Sequence, residues 1–118
     1  MRYTTRLRAR SREVSDLDNR IIGSLGLCAK ARKLIFGVPM VVEAMQKGKT
    51  VYLVLEASDT SDNTHKRLTD KCEYYGVRKV RLDVDGATLA SAVGKGASLA
   101  AVAIADEGFY TMISKYFD

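Results

Sequence analysis

The sequence predicts an α/β sandwich, one central sheet covered by helices on both faces. Three observations predict it. Short apolar runs, LIF at 34–36, VYLVL at 51–55 and LAAVAIA at 99–105, alternate with stretches whose apolar residues recur every three or four positions. The connections between these stretches are short. At 118 residues and 47% apolar composition, the chain can bury one core without crosslinks or metals.

Each element follows from local pattern. A first helix begins near Leu17, with Ile21, Leu25 and Ala29 four apart and Ile22, Leu27 and Cys28 widening the stripe, and Ser15 or Asp16 would cap it. LIF is a short strand that stops at Gly37. A second helix starts at once, with Pro39 in its first turn, Val38, Val41, Val42 and Met45 on its buried face, Lys47 in its last turn and Gly48 just past its end. VYLVL shows no alternation, as expected of a strand covered on both faces. Ser61 or Asp59 would cap a third helix carrying Leu68, Cys72 and Tyr75, which Gly76 stops. Val80–Leu82 reads as a third strand, Ala87–Val93 as a short helix and LAAVAIA as a second buried strand. Phe109, Met112, Ile113 and Tyr116 form a closing helix, with Asp106 and Glu107 at its positive end.

Charge divides the chain in two. The net charge of +5 is carried by Arg2, Arg6, Arg8, Arg10 and Arg12, with no acidic residue among the first 12 positions, while residues 13–118 balance 14 basic against 14 acidic side chains. Residues 1–16 therefore read as a basic arm with too little apolar material to pack, and 17–118 as the folded domain. The arm suits phosphate contact; it equally suits a solvated tail, and an Arg-rich, acid-poor start is also the signature of an organellar import peptide. With no apolar run of spanning length and no signal-like apolar core at its start, the chain reads as soluble and cytoplasmic, with no membrane partner. Cys28 and Cys72 sit in helical patterns without a CxxC partner, and one histidine is too few for a zinc site, so both read as buried apolar fillers.

Catalytic chemistry is hard to find. His65 stands alone among polar residues just inside a helix start and reads as a solvated helix residue, with no nucleophile-elbow Ser or Cys beside it. GSLGL at 23–27 lies inside a helix and GKGAS at 94–98 precedes a strand, so neither is a phosphate loop. Asp59, Asp62 and Asp70 lack metal-loop spacing and read as caps and surface charge. No cofactor, metal or small-molecule substrate is expected. The Gly37 turn remains: a helix N-terminus presented after a strand offers free N–H groups and a positive dipole end, with Lys30, Arg32 and Lys33 close in sequence. The same residues also suit an ordinary strand-to-helix turn, with Pro39 where the missing N–H costs nothing.

Four segments, GLCAKARKLIFG, VVEAM, VYLVLEASDTSDNTHKRLTDKCEYYGV and LASAVGKGASLAAVAIADEGF, together resemble the ribosomal protein L7Ae/L30e/S12e/Gadd45 family, most of all its small bacterial YlxQ-like branch. The resemblance runs from about Asp18 to Phe117 in unbroken order. It implies a three-layer α/β/α, L30e-like fold with a four-stranded mixed sheet and helices on both faces. For many members it also implies binding to kink-turn RNA in ribosomes and other ribonucleoproteins. In RNA-binding members a Gly followed by small, Asn and Glu residues reads the RNA from the first turn of the second helix, with a Lys further along. By position these fall on Gly37, Val38, Pro39 and Met40, and the Lys falls on Glu43. A second contact, the loop before the last strand, falls on Gly94, Lys95, Gly96, Ala97 and Ser98.

Pro39 and Met40 cannot make the base-edge hydrogen bonds of Asn and Glu, and a carboxylate at position 43 repels phosphate. The apolar Val38, Pro39 and Met40 would instead stack on a base or dock on a protein. The expectation is a non-enzymatic RNA-binding protein, ribosomal or ribonucleoprotein-associated. It would recognise structured, kink-turn-like RNA through the Gly37 turn and the Gly94–Ser98 loop, with Arg32, Lys33, Lys95 and the arm on phosphates. The alternative is a protein-interaction module on the same fold, with its partner at the Gly37 turn and specific RNA reading lost.

Overall fold

The computed structural model describes residues 16–118, so Ser15 and the arm arginines Arg2, Arg6, Arg8, Arg10 and Arg12 lie outside the described residues. Helix α1 (Asp16–Lys30) leads into β1 (Leu34–Phe36), α2 (Val38–Gln46), β2 (Leu53–Glu56), α3 (Asp62–Tyr75), β3 (Arg78–Arg81), α4 (Gly86–Ala92), β4 (Ala101–Ile104) and α5 (Glu107–Ser114). The element order is the expected one, with shifted strand limits. Val51 and Tyr52 precede β2, which runs on to Glu56, and β3 starts two residues before Val80. Only the middle of LAAVAIA forms a ladder.

The four strands form one mixed sheet in the order β1-β4-β2-β3. β4 is antiparallel to both neighbours, whereas β2 and β3 are parallel. Consequently β1, β2 and β3 point the same way and end at a common edge, where β4 begins. Side chains alternate across the sheet: Leu53 and Leu55 of β2 join one apolar cluster and Val54 the other. The first cluster packs α1, α4 and α5 on one face through Ile21, Leu25, Leu89 and Ile113. The second packs α2 and α3 on the other through Val41, Met45, Leu68 and Cys72. Both faces of the central strands are therefore dry, and truncating a fully buried leucine such as Leu55 to alanine would cost about 2–5 kcal/mol. Among the described residues no helix is long and apolar enough to cross a membrane.

Capping chemistry fixes the helix ends. Ser61 Oγ accepts from Thr64 N, Asp85 Oδ1 from Thr88 N and Asp106 Oδ2 from Phe109 N. Asp59, the other expected cap of α3, instead accepts from Gly86 N at 2.8 Å and ties the start of α4 to the loop after β2. Helices α2 and α3 are each followed by a glycine in the left-handed region, Gly48 (φ 76°) and Gly76 (φ 69°). After α1 that place belongs to Arg32 (φ 61°), the only non-glycine with positive φ among the described residues. Two bonds hold it there, Arg32 N to Ala29 O and Lys33 N to Cys28 O, each 3.0 Å.

Candidate functional site

The Gly37 turn sits on the common edge. Gly37 N donates to Ala101 O at 2.9 Å, one step beyond the last β1 residue, and its φ of 86° then swings the chain into α2. Gly37 is itself the N-cap, so no side chain covers the helix start. The N–H groups of Val38 and Met40 have no carbonyl one turn back in α2, and Pro39 carries none.

The side chains of this turn separate. Val38 is only 5% exposed and packs in the α2/α3 cluster, so it can offer a ligand only its N–H; the expected apolar surface reduces to Pro39 and Met40, the latter 55% exposed. Glu43 is ion-paired with Lys47 at 2.6 Å, and that hydrogen bond holds its carboxyl below the usual range. The carboxylate where a cation was expected is thus answered by a lysine one helical turn further on.

The Gly94–Ser98 loop is exposed throughout and leads into β4 at the same edge. Lys95 Nζ lies 4.3 Å from the centroid of the Phe36 ring, the residue before Gly37, in cation–π contact. The far end of the loop is fixed by Leu99 N to Gly86 O at 3.1 Å. Gly86 is required there, because a Cβ would lie 2.8 Å from Leu99 O and would also strike Ser98 Oγ.

Arg32 and Lys33 do not belong to this edge, contrary to their grouping with Gly37. Lys33 O accepts from Ala105 N, past the end of β4, while Gly37 bonds at the start of that strand. The two lie four residue steps apart along β1, about 13 Å. Nearness in sequence misled because β1 itself spans the interval.

One constellation escaped sequence reading. Glu56, at the end of β2, is fully buried and accepts from Lys79 Nζ at 2.6 Å and from His65 Nδ1 at 2.7 Å, with Arg81 Nε 3.8 Å away. His65 is therefore not a solvated helix residue: it ties α3 to the sheet. Burial alone would raise the Glu56 carboxyl, but the Lys79 and His65 hydrogen bonds outweigh it and hold it below the usual range. Arg81 also donates to Ser58 O and Thr60 O, fixing the loop that leads into α3. Only the parallel pairing of Glu56 with Arg81 across β2 and β3, invisible from spacing, brings these groups together.

The exposed Asp62 and Asp83 lie beyond the ends of β2 and β3, and Asp59 and Asp85 flank Gly86 at the anchored end of the Gly94–Ser98 loop. On α2, beyond Pro39 and Met40, the one acid is Glu43, paired with Lys47. Both cysteines are buried, and burial pushes each thiol up to about 11, which suits the filler role.

Comparison with known proteins bears on this geometry. The model of the ribosomal protein L7Ae/L30e/S12e/Gadd45 family matches residues 20–114. The chain is 36% identical over 94 residues to the RNA-binding protein YlxQ of Bacillus subtilis (strain 168), covering 80% of this chain and 91% of that one. A solved structure of a protein of unknown function from Bacillus halodurans superposes with a TM-score of 0.75 at 33% identity, over 84% of this chain and 97% of that one. The Giardia lamblia 15.5 kD RNA binding protein superposes with a TM-score of 0.70 over 95% of this chain and 93% of that one. At 18% identity it speaks for the shared fold alone.

Proposed function

The chain belongs to the ribosomal protein L7Ae/L30e/S12e/Gadd45 family, and from that premise we propose that it is a non-enzymatic RNA-binding protein that recognises a structured, kink-turn-like RNA. The observation that carries the reading is the meeting of the uncapped Gly37 helix start with the Gly94–Ser98 loop on one sheet edge, where Lys95 lies over Phe36. There the free N–H groups of α2 face a phosphate or base edge, Met40 and Pro39 lie flat against a base, and Lys95 neutralises phosphate. The acids beyond β2 and β3, Asp62 and Asp83, disfavour a phosphate backbone there and so bias the direction of approach. The five arginines among residues 1–12 supply sequence-independent attraction. A cytoplasmic ribonucleoprotein is the setting, with ribosomal RNA the first candidate.

A second reading keeps the fold and replaces RNA with a protein partner. Exposed Met40 and Pro39 favour it, since neither side chain has a hydrogen bond to give a base. Binding of a kink-turn RNA and of a plain duplex, compared across a salt series, separates the two. In the full chain with the arm arginines changed to glutamine, preference for the kink-turn persists and the salt slope drops by up to about four units. Lys95→Glu and Met40→Glu then lower kink-turn affinity about tenfold without moving the unfolding midpoint, a loss of about 1.4 kcal/mol in binding. Equal affinity for both RNAs in that background refutes the RNA reading and favours the protein partner.

A further inference from the structure

Beside the Gly94–Ser98 loop, α1 and Phe36 enclose a groove of about 690 Å³, large enough for a nucleotide. Ile22, Gly23 and Leu27 of α1 make its apolar floor and Phe36 closes it. Lys95 stands on one side and Lys30, the last residue of α1, on another. None of its lining residues is acidic.

Two features of the groove are not accounted for by packing. Glycine inside a helix is unfavourable, and at Gly26 the reason is visible, since a Cβ would lie 2.9 Å from Ala92 O. At Gly23 nothing lies within 4 Å of a Cβ position, so packing does not require it; the missing side chain leaves the groove open. Leu27, at 57% exposure, is likewise uncovered. Just past Lys30, the exposed Arg32 and Lys33 have no acidic partner among the described residues, and Arg32 sits in a backbone conformation that other helix ends here give to glycine.

We propose that the groove takes an unpaired RNA strand running on from the element held at the Gly37 turn. One base packs on the floor of Gly23 and Leu27 against Phe36, and successive phosphates meet Lys95 and then Lys30, Arg32 and Lys33. The proposal rests on the RNA reading above. It turns the displacement of Arg32 and Lys33 along β1, about 13 Å from Gly37, into the far end of one continuous path. An acid-free apolar groove with cations at its ends complements a polyanion carrying apolar bases.

The test uses the full chain, Gly23→Leu and the triple variant Lys30→Gln, Arg32→Gln, Lys33→Gln. Fluorescence anisotropy would follow a kink-turn RNA with and without a short oligouridine tail, and the oligouridine alone. The tail is expected to tighten wild-type binding about tenfold. Gly23→Leu should abolish that gain while leaving the tail-less RNA unaffected, and the triple variant should shrink it and lower the salt slope by about two units. Matching thermal unfolding would exclude a folding defect. A tail without effect, or a gain that survives Gly23→Leu, overturns the proposal. If the tail-less kink-turn is not bound at all, the recognition reading fails by itself. The oligouridine alone then decides this one: binding lost in Gly23→Leu sustains it, and unchanged binding overturns it.

Discussion

Replacing Glu56 by glutamine would test the buried ionic network most directly. Glu56 is 0% exposed and Lys79, 2.6 Å away, has a side chain only 13% exposed, so the amide leaves an ammonium with no counter-charge and little water. Removing one partner of a buried pair costs about 3–5 kcal/mol. The lower figure fits here, since Lys79 keeps some solvent and Arg81 is displaced rather than stranded. Against a total stability of roughly 5–15 kcal/mol, this is a large fraction. For a domain of this size it corresponds to a fall in Tm on the order of 12–24 °C. Because the folded carboxyl lies below its unfolded value of about 4.3, the network's contribution is complete above that pH and is lost as pH falls through the lower folded value. Urea unfolding followed by circular dichroism between pH 7 and pH 3 would therefore show a steep acid limb in the wild type, flattened in Glu56→Gln. Adding Lys79→Met should restore at least about 1 kcal/mol, because it removes the stranded charge. A Glu56→Gln chain within about 1 kcal/mol of wild type, with an unchanged acid limb, would refute the argument.

Other expectations follow from single contacts. Arg32→Gly should raise stability by several tenths to about 1 kcal/mol in thermal melts, since the left-handed cost of an L-residue exceeds the unfolded-state entropy of glycine; a lower Tm would show that the arginine's contacts matter more. Gly86→Ala should cost about 1–3 kcal/mol by chemical denaturation, because its Cβ meets Leu99 O and Ser98 Oγ, and should raise amide exchange across residues 94–99. Cys28 and Cys72 should resist thiol reagents at neutral pH until the chain unfolds, as buried thiols pushed up to about 11 have almost no thiolate; rapid native labelling of either would contradict their burial.

What could be read from the sequence was local. The run around Leu53–Leu55 announced a strand buried on both faces, Gly48 and Gly76 announced helix ends, and Gly37 with Pro39 announced a strand-to-helix turn; all depend on neighbours within a few residues. What failed was non-local. Val38 counted both as a core position and as part of a reading surface, and the 3.6-residue period of α2 decides for the core. Arg32 and Lys33 looked like neighbours of Gly37 until β1 stretched the interval between them. His65 looked solvated because its partner Glu56 lies nine residues back, and Lys79 reaches the same carboxylate only through strand pairing.

The order β1-β4-β2-β3 also leaves two strands with one open side each, and unpaired strand edges are where folded chains pair wrongly with their copies. Here neither invites that. β1 offers just three residues, and β3 reads Arg-Lys-Val-Arg, with Arg78 held to Asp118 at 3.0 Å and Arg81 still exposed. A second copy approaching β3 edge to edge would bring arginine against arginine with little apolar surface to gain. The same cations that anchor Glu56 and the chain's last residue thus guard the sheet against stacking into a longer one, which favours colloidal stability at high concentration.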